Sequence, residues 1–192
     1  MALDATLGTK EAIERAALRL FVERGIAETS IRQIARAAGV SLGAMYNHYT
    51  GKEDLAWSLF SHNIYGLGAE LRRLAHVKVD LARKLRSMIT HVFERFDRDW
   101  VAVSYVFSSR HQYLRRMTRQ GSNPFVVFRG VIADAVVRGE IPRQDLDMAA
   151  SLVVGAIIQV IDTRIYWHWR VDRPLVESAD QVAAACMRLV KL

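Results

Sequence analysis

The sequence predicts an all-α fold of about nine helices, with a three-helix unit at the N-terminus and a larger helical bundle after it. Three observations carry this. Apolar residues recur at intervals of three and four through most of the chain, while period-two alternation is scarce. The only prolines, Pro124, Pro142 and Pro174, each fit a helix boundary. Hydrophobic residues are 51% of the 192 residues and charged residues 24%, enough for a sizeable core and unlike a disordered composition.

A first helix is expected over Thr9–Arg24, where Ile13, Ala16, Ala17, Leu20 and Phe21 share one face. Gly25 ends it. Ser30 and Gln33 have capping-box spacing and open a second helix, with Ile31, Ile34, Ala35 and Ala38 as its inner stripe. Gly39 follows, where a tight turn needs positive φ. Val40 anchors the turn, and Ser41 is placed to cap a third helix over Leu42–Tyr49, with Met45 and Tyr49 inward. Thr50 and Glu53 have capping-box spacing again, and a fourth helix is expected over 52–74. Further helices are expected over 80–97, 99–117, from Asn123-Pro124 to near Gly139, 145–169, and on to about Val190. Residues Arg119–Asn123 read as a loop.

Two short helices joined by a glycine turn over Thr29–Lys52 project one exposed helix from a compact base. That is the geometry by which a helix-turn-helix enters the DNA major groove. Domains are therefore expected at 1–51, the helix-turn-helix unit, and 52–192, the larger helical domain to which the resemblance below assigns ligand binding and dimerisation.

The same block carries a resemblance. The residues are Ala16-Ala17-Leu18-Arg19-Leu20-Phe21, Gly25, Thr29-Ser30-Ile31, Ile34-Ala35, Ala38-Gly39-Val40-Ser41, Met45-Tyr46, His48-Tyr49 and Lys52-Glu53-Asp54-Leu55. In that order and spacing they resemble the TetR family of bacterial transcriptional regulators, over about a quarter of the chain. The resemblance implies DNA binding by helices 1–3. It implies ligand binding and dimerisation by helices 4–9, and a repressor released from its operator by a small molecule. Two departures stand out. Leu42-Gly43-Ala44 offers few hydrogen-bond donors, and Asn47 occupies a position where many relatives carry an aromatic residue.

On this reading Asn47 pairs with adenine, Leu42 and Ala44 touch thymine methyls, and Arg32 reaches guanine or a phosphate. Ser30, Tyr46, His48 and Lys52 suit phosphates, Ser41 is expected among the DNA-binding residues besides capping, and Gly43 lets the backbone come close. The expected operator is a palindrome bound by a homodimer, with strong salt dependence.

The net charge of +7 and pI of about 9.9 favour a polyanionic partner. The charge is uneven. Residues 1–52 hold seven Lys/Arg against five Asp/Glu, and residues 72–119 twelve against four, so part of the second group is expected on DNA phosphates.

The run Met148–Ile161 is short for a membrane span and suits a helix buried between protein surfaces. Leu152, Gly155 and Ala156, with Val182, Cys186 and Leu189, are the expected dimer interface on helices 8 and 9. The aromatics of the middle segments suggest a pocket for an apolar or aromatic effector. Trp57, Phe60, Phe93, Phe96, Trp100, Tyr105, Phe128 and Trp167 are candidates to line it, with His62, Gln159 and Asp162 to orient the ligand. Helix 4, joining head and pocket region, is the expected lever.

One cysteine, Cys186, permits no intrachain disulfide. With no signal pattern at MALDATLGTKEA, a soluble cytoplasmic chain is expected. Walker A, HExxH and GxSxG are absent, and no cofactor or enzymatic activity is expected. His91, Glu94 and Asp97 recur every three residues but read as solvated helix charge rather than a metal site. The competing reading is a helical protein acting through protein contacts without operator recognition.

Overall fold

Capping residues set where most of the helices begin. The computed structural model describes residues 8–113, 115–117, 123–167 and 171–191. Among these it shows nine α-helices, one 3-10 turn and no strand. Residues 119–122 of the expected loop, the first seven residues of the N-terminal stretch and the expected helix end at Trp169 lie outside the described residues.

The helices are α1 (Thr9–Arg24), α2 (Ile31–Ala38), α3 (Leu42–His48), α4 (Lys52–Ala75) and α5 (Leu81–Arg98). They continue with α6 (Trp100–Tyr113), α7 (Pro124–Val137), α8 (Leu146–Tyr166) and α9 (Ala179–Leu189). Asp80, Asn123 and Asp145 each accept backbone N–H bonds at the starts of α5, α7 and α8. One expected cap is corrected. The Thr50 backbone and hydroxyl donate to Asp54 Oδ2 at 2.9 and 3.1 Å, so Asp54, not Glu53, reaches back. The reason is register: α4 starts at Lys52, which makes Asp54 its third residue.

Two compact units emerge, one of residues 1–63 with 101–115, the other of 64–100 with 116–192. The division differs from a boundary at 51/52, because the first half of α4 and α6 pack with the head. Leu55, Ala56, Leu59 and Phe60 are buried, the Tyr105 hydroxyl donates to the Ala56 carbonyl at 2.7 Å, and the Tyr105 ring stacks on Phe21 at 5.6 Å.

In the second unit α5, α7, α8 and α9 pack on one another around Leu85, Met88, Ile89, Val131, Ile132, Val153 and Ile157. Polar fastenings join its elements. Glu70 accepts from Arg95 Nη1 at 2.9 Å and lies 2.9 Å from His91 Nε2; the buried Lys84 ammonium donates to the Ala75 carbonyl at 2.6 Å. Asp97 accepts the Leu175 and Val176 N–H groups. Burial pushes the Glu70 carboxyl up, but the His91 hydrogen bond and Arg95 outweigh it and hold it below the ordinary value.

Helix α8 covers the expected stretch as far as Tyr166. With 21 residues and a window of mean hydropathy 1.6, it is long and apolar enough to cross a membrane by those measures. It packs instead against α7 and α9, and its N-terminus carries the Asp145 cap and an Arg129–Asp147 ion pair at 2.8 Å. One stripe stays open: Met148 is 60% exposed and Leu152 41%, with Gly155 and Gln159 also exposed.

Candidate nucleic-acid interface

The first unit builds its exposed helix from local hydrogen bonds. At α2 the capping box closes: Ser30 Oγ accepts from Gln33 N at 3.2 Å, and Gln33 Oε1 accepts from Ser30 N at 2.7 Å. The helix ends at Gly39, with φ 69° and ψ 27°, and Val40 N donates back to the Ala35 carbonyl at 3.0 Å. That left-handed residue turns the chain within a few atoms, where a Cβ would be strained. Ser41 then caps α3 by accepting from Ala44 N at 3.1 Å.

The inner side of α3 is anchored twice. Met45 is wholly buried, and the buried Tyr49 donates its hydroxyl to Glu14 Oε1 of α1 at 2.5 Å. Burial, with the Glu14 carboxylate beside it, pushes the Tyr49 hydroxyl well above its ordinary pKa, so it stays a donor. The outer side is open: Leu42 is 39% and Tyr46 59% exposed, Gly43, Asn47 and His48 are exposed, and Ala44 is half-buried.

Arg32 is exposed on α2. Arg36, which the sequence reading passed over, is exposed one turn later on the same face, and its i+4 spacing was the available signal. Lys52 donates to the Ala27 carbonyl at 3.0 Å and so fastens the loop after α1 to the start of α4. An ammonium has three donors, which leaves two for another partner. The head therefore offers an exposed face on α3 without Lys or Arg, and two exposed guanidinium groups on α2.

The other expected sites fare unevenly. Val182 and Cys186, assigned to a dimer interface, are buried within the chain. The α9 stripe that holds them packs on α5 and α8, and the Cys186 thiol lies 4.0 Å from the Val153 carbonyl. Burial raises that thiol to about 11, so it is inert at neutral pH. Leu152 and Gly155 are exposed; Ala156 and Leu189 are half-buried.

The candidate ligand residues do not share one unit. Trp57, Phe60, His62 and Tyr105 belong to the first; Phe93, Phe96, Trp100, Phe128, Gln159, Asp162 and Trp167 belong to the second. Phe60, Tyr105, Phe93, Phe96 and Phe128 are buried, Trp57 and Asp162 half-buried. Trp100, at the start of α6, and Trp167, past the end of α8, are exposed, as are His62 and Gln159, so the expected enclosed lining does not extend to them. Tyr113, not anticipated, packs on Phe60 at 4.9 Å and on Trp57 at 5.4 Å; it lies two turns beyond Tyr105 on the same face of α6. In the second unit an open groove of about 520 Å³ is lined by Leu74, Arg83, Arg86, Ser87, Thr90, His91 and Glu94, none of them expected ligand contacts.

Known proteins resemble this chain in its N-terminal segment and in its fold. Residues 13–59 match the family model described as bacterial regulatory proteins, tetR family. The likeness to that family rests on this N-terminal segment. Over 89 residues it is 42% identical to the HTH-type transcriptional regulator AcrR of Shigella flexneri, a match covering 45% of this chain and 40% of AcrR. The chain thus spans well under two thirds of that relative. It is 27% identical to the transcriptional repressor KstR2 of Rhodococcus jostii over 140 residues, 69% of this chain and 67% of KstR2. Among solved structures, FadR of Bacillus subtilis in complex with stearoyl-CoA superposes with TM-score 0.73 at 20% identity, covering 94% of this chain and 97% of that one. At that identity the likeness establishes the fold. The chain accordingly has an N-terminal helix-turn-helix and a helical C-terminal part.

Proposed function

We propose that this protein is a DNA-binding transcriptional regulator that grips a palindromic operator as a homodimer and is released by a small apolar effector. The observation that carries the reading is α3. It is a helix anchored inward by Met45 and the following Tyr49, with Leu42, Gly43, Tyr46, Asn47 and His48 exposed; α2 adds the exposed Arg32 and Arg36. A single recognition helix covers few base pairs, and a dimer placing two of them one DNA turn apart supplies affinity. The open α8 stripe of Met148, Leu152 and Gly155, with Ala156, suits the dimer contact. On α9 the contribution falls to the exposed Ala184 and half-buried Leu189 rather than to Val182 and Cys186.

The aromatic cluster of Trp57, Phe60 and Tyr113 supports an apolar effector. The FadR complex with stearoyl-CoA makes fatty acyl thioesters one class for the panel. Release is a population shift, in which the effector binds a form with badly spaced heads better than the DNA-ready form. Helix α4 is its lever, and the protein works in the cytoplasm.

The test is genomic DNA capture with the purified full chain, followed by footprinting and a salt series. The expected result is a protected palindrome whose affinity falls steeply with salt. Capture of protein partners but no duplex would instead favour action through protein contacts. An effector panel then reads operator release and Trp57 fluorescence together; no response to any apolar compound removes the effector half of the proposal.

A further inference from the structure

Residues 1–52, with seven Lys/Arg and five Asp/Glu, account for only +2 of the net charge of +7. Much of the remainder gathers at one end of the second unit, where three breaks in the helices meet: the α4–α5 turn, the α7–α8 connection and the end of α9. Hydrogen bonds tie them together. Leu81 N, at the start of α5, donates to Glu140 Oε2 of the α7–α8 connection at 2.5 Å. Gln144 of that connection donates to the Val190 carbonyl beyond α9 at 2.8 Å. Arg72, Arg73 and Lys78 are exposed at the first break, Arg143 at the second, and Arg188 and Lys191 at the third. Arg83 and Arg138 are exposed here too, but each faces a local carboxylate, Asp80 at 3.5 Å and Glu140 at 2.6 Å.

Helix ends account for part of this charge. Arg72, Arg73 and Arg188 stand in last turns, where the helix dipole favours cations. Lys78, Arg143 and Lys191 lie outside the helices and have no such reason. Two valines are also unaccounted for: Val77 is 52% exposed and Val137 86%. Each precedes a base, Lys78 or Arg138, and each is held by its backbone. Val77 N donates to the Leu74 carbonyl at 3.2 Å, and the Val77 carbonyl accepts from Val79 N at 3.0 Å. After Val137 the chain turns at Gly139, φ 73°, and Glu140 N donates to the Ala135 carbonyl at 2.9 Å. The fold thus fixes two apolar tips in water among long basic side chains.

The helix N-termini at this end are already taken. The Asp80 and Asp145 carboxylates accept the first amides of α5 and α8, so neither offers a discrete phosphate seat. What remains is diffuse positive charge around apolar tips. A bilayer with anionic lipid presents the matching partner, spread negative charge with an apolar layer beneath it. A nucleic acid duplex supplies the charge but no layer for the valines.

We propose that this end of the second unit docks on an anionic lipid surface, with its cations among the headgroups and Val77 and Val137 at the headgroup–acyl boundary. The surface is separate from the DNA-binding reading above and does not depend on it.

The test is co-sedimentation of the full chain with phosphatidylcholine vesicles, made with and without phosphatidylglycerol. Binding is expected only with phosphatidylglycerol present, and it should weaken as salt rises. Lys78→Gln combined with Arg143→Gln should weaken it roughly 25-fold, about fivefold for each charge. Val137→Ser keeps every charge and should weaken it at least roughly threefold. All three side chains are exposed, so melting temperatures should match wild type. Wild type that ignores phosphatidylglycerol vesicles overturns the proposal, as does a double variant that binds them undiminished. Val137→Ser binding like wild type also overturns it, by leaving a surface that answers to charge alone. So does a double variant that loses affinity for duplex DNA in step with vesicles, because these cations would then serve DNA.

Discussion

Helices α3 and α8 both leave one side uncovered by their own chain, and the two uncovered sides differ in kind. In α3 the covered side is Met45, with the buried Tyr49 just past its end, and the open side mixes Leu42 and Tyr46 with Gly43, Asn47 and His48. In α8 the covered side is Ala149, Ala150, Val153, Ile157 and Ile161, and the open side is still apolar, with Met148 and Leu152 in water. Water hydrogen-bonds the amide, imidazole and phenol groups of the first face. The second face loses roughly 25 cal/mol for each Å² of apolar surface it fails to bury, which is a reason to expect another protein surface there. Under the proposed function the first face meets a DNA groove lined with donors, acceptors and methyls, and the second meets another copy of the chain.

The largest expected effect breaks this contrast at α8. Leu152→Asp puts a charge on the open stripe. In the isolated chain, where Leu152 is already partly exposed, stability should move by no more than about 0.5 kcal/mol. If the stripe is the dimer contact, a carboxylate buried there without a partner costs on the order of 3 kcal/mol, or roughly 100-fold in dimerisation. Sedimentation should show monomers, and operator affinity should fall with them. A variant that remains fully dimeric would mean the stripe faces something else.

A smaller effect sharpens the contrast at α3. Gly39→Ala forces a Cβ into the left-handed region and should destabilise the head by about 1–2 kcal/mol, read as a lower denaturant midpoint. The sign is opposite to that expected for Gly43→Ala, where alanine strengthens the interior of α3. Equal losses at both glycines would mean that α3 is seated by something other than the turn.

The parts of the fold that are local in cause were legible in the sequence. Ser30 with Gln33, Ser41, and Asn123 with Pro124 act within a few residues of themselves, and each caps the helix expected of it. Where register mattered the reading slipped: Thr50 and Glu53 have the right spacing, but α4 begins one residue too late for Thr50 to be its cap. Periodicity identified the α9 stripe of Val182 and Cys186 but could not say what covers it, and α5 and α8 of the same chain do. The effector residues were least legible for the same reason. Aromatic side chains fill cores and line pockets alike, and only packing separates the buried Phe93 from the exposed Trp167.

The smallest effect concerns how much the second unit relies on polar fastening rather than apolar burial. Glu70 is half-buried between His91 and Arg95, with its carboxyl held below the ordinary value. A carboxylate depressed in the folded state stabilises the fold above its unfolded pKa. That stability is lost as pH falls through the folded value. Glu70→Gln should therefore lower stability by about 1 kcal/mol at pH 7, a figure reduced for the partial exposure of all three side chains. The gap to wild type should close below the ordinary carboxylate range, where wild-type Glu70 is itself protonated. Urea midpoints of the two proteins across pH 3 to 7 measure this directly. A gap that stays constant across that range would assign the loss to packing around the side chain, and the second unit would then rest on apolar contacts to an even greater degree than its buried residues indicate.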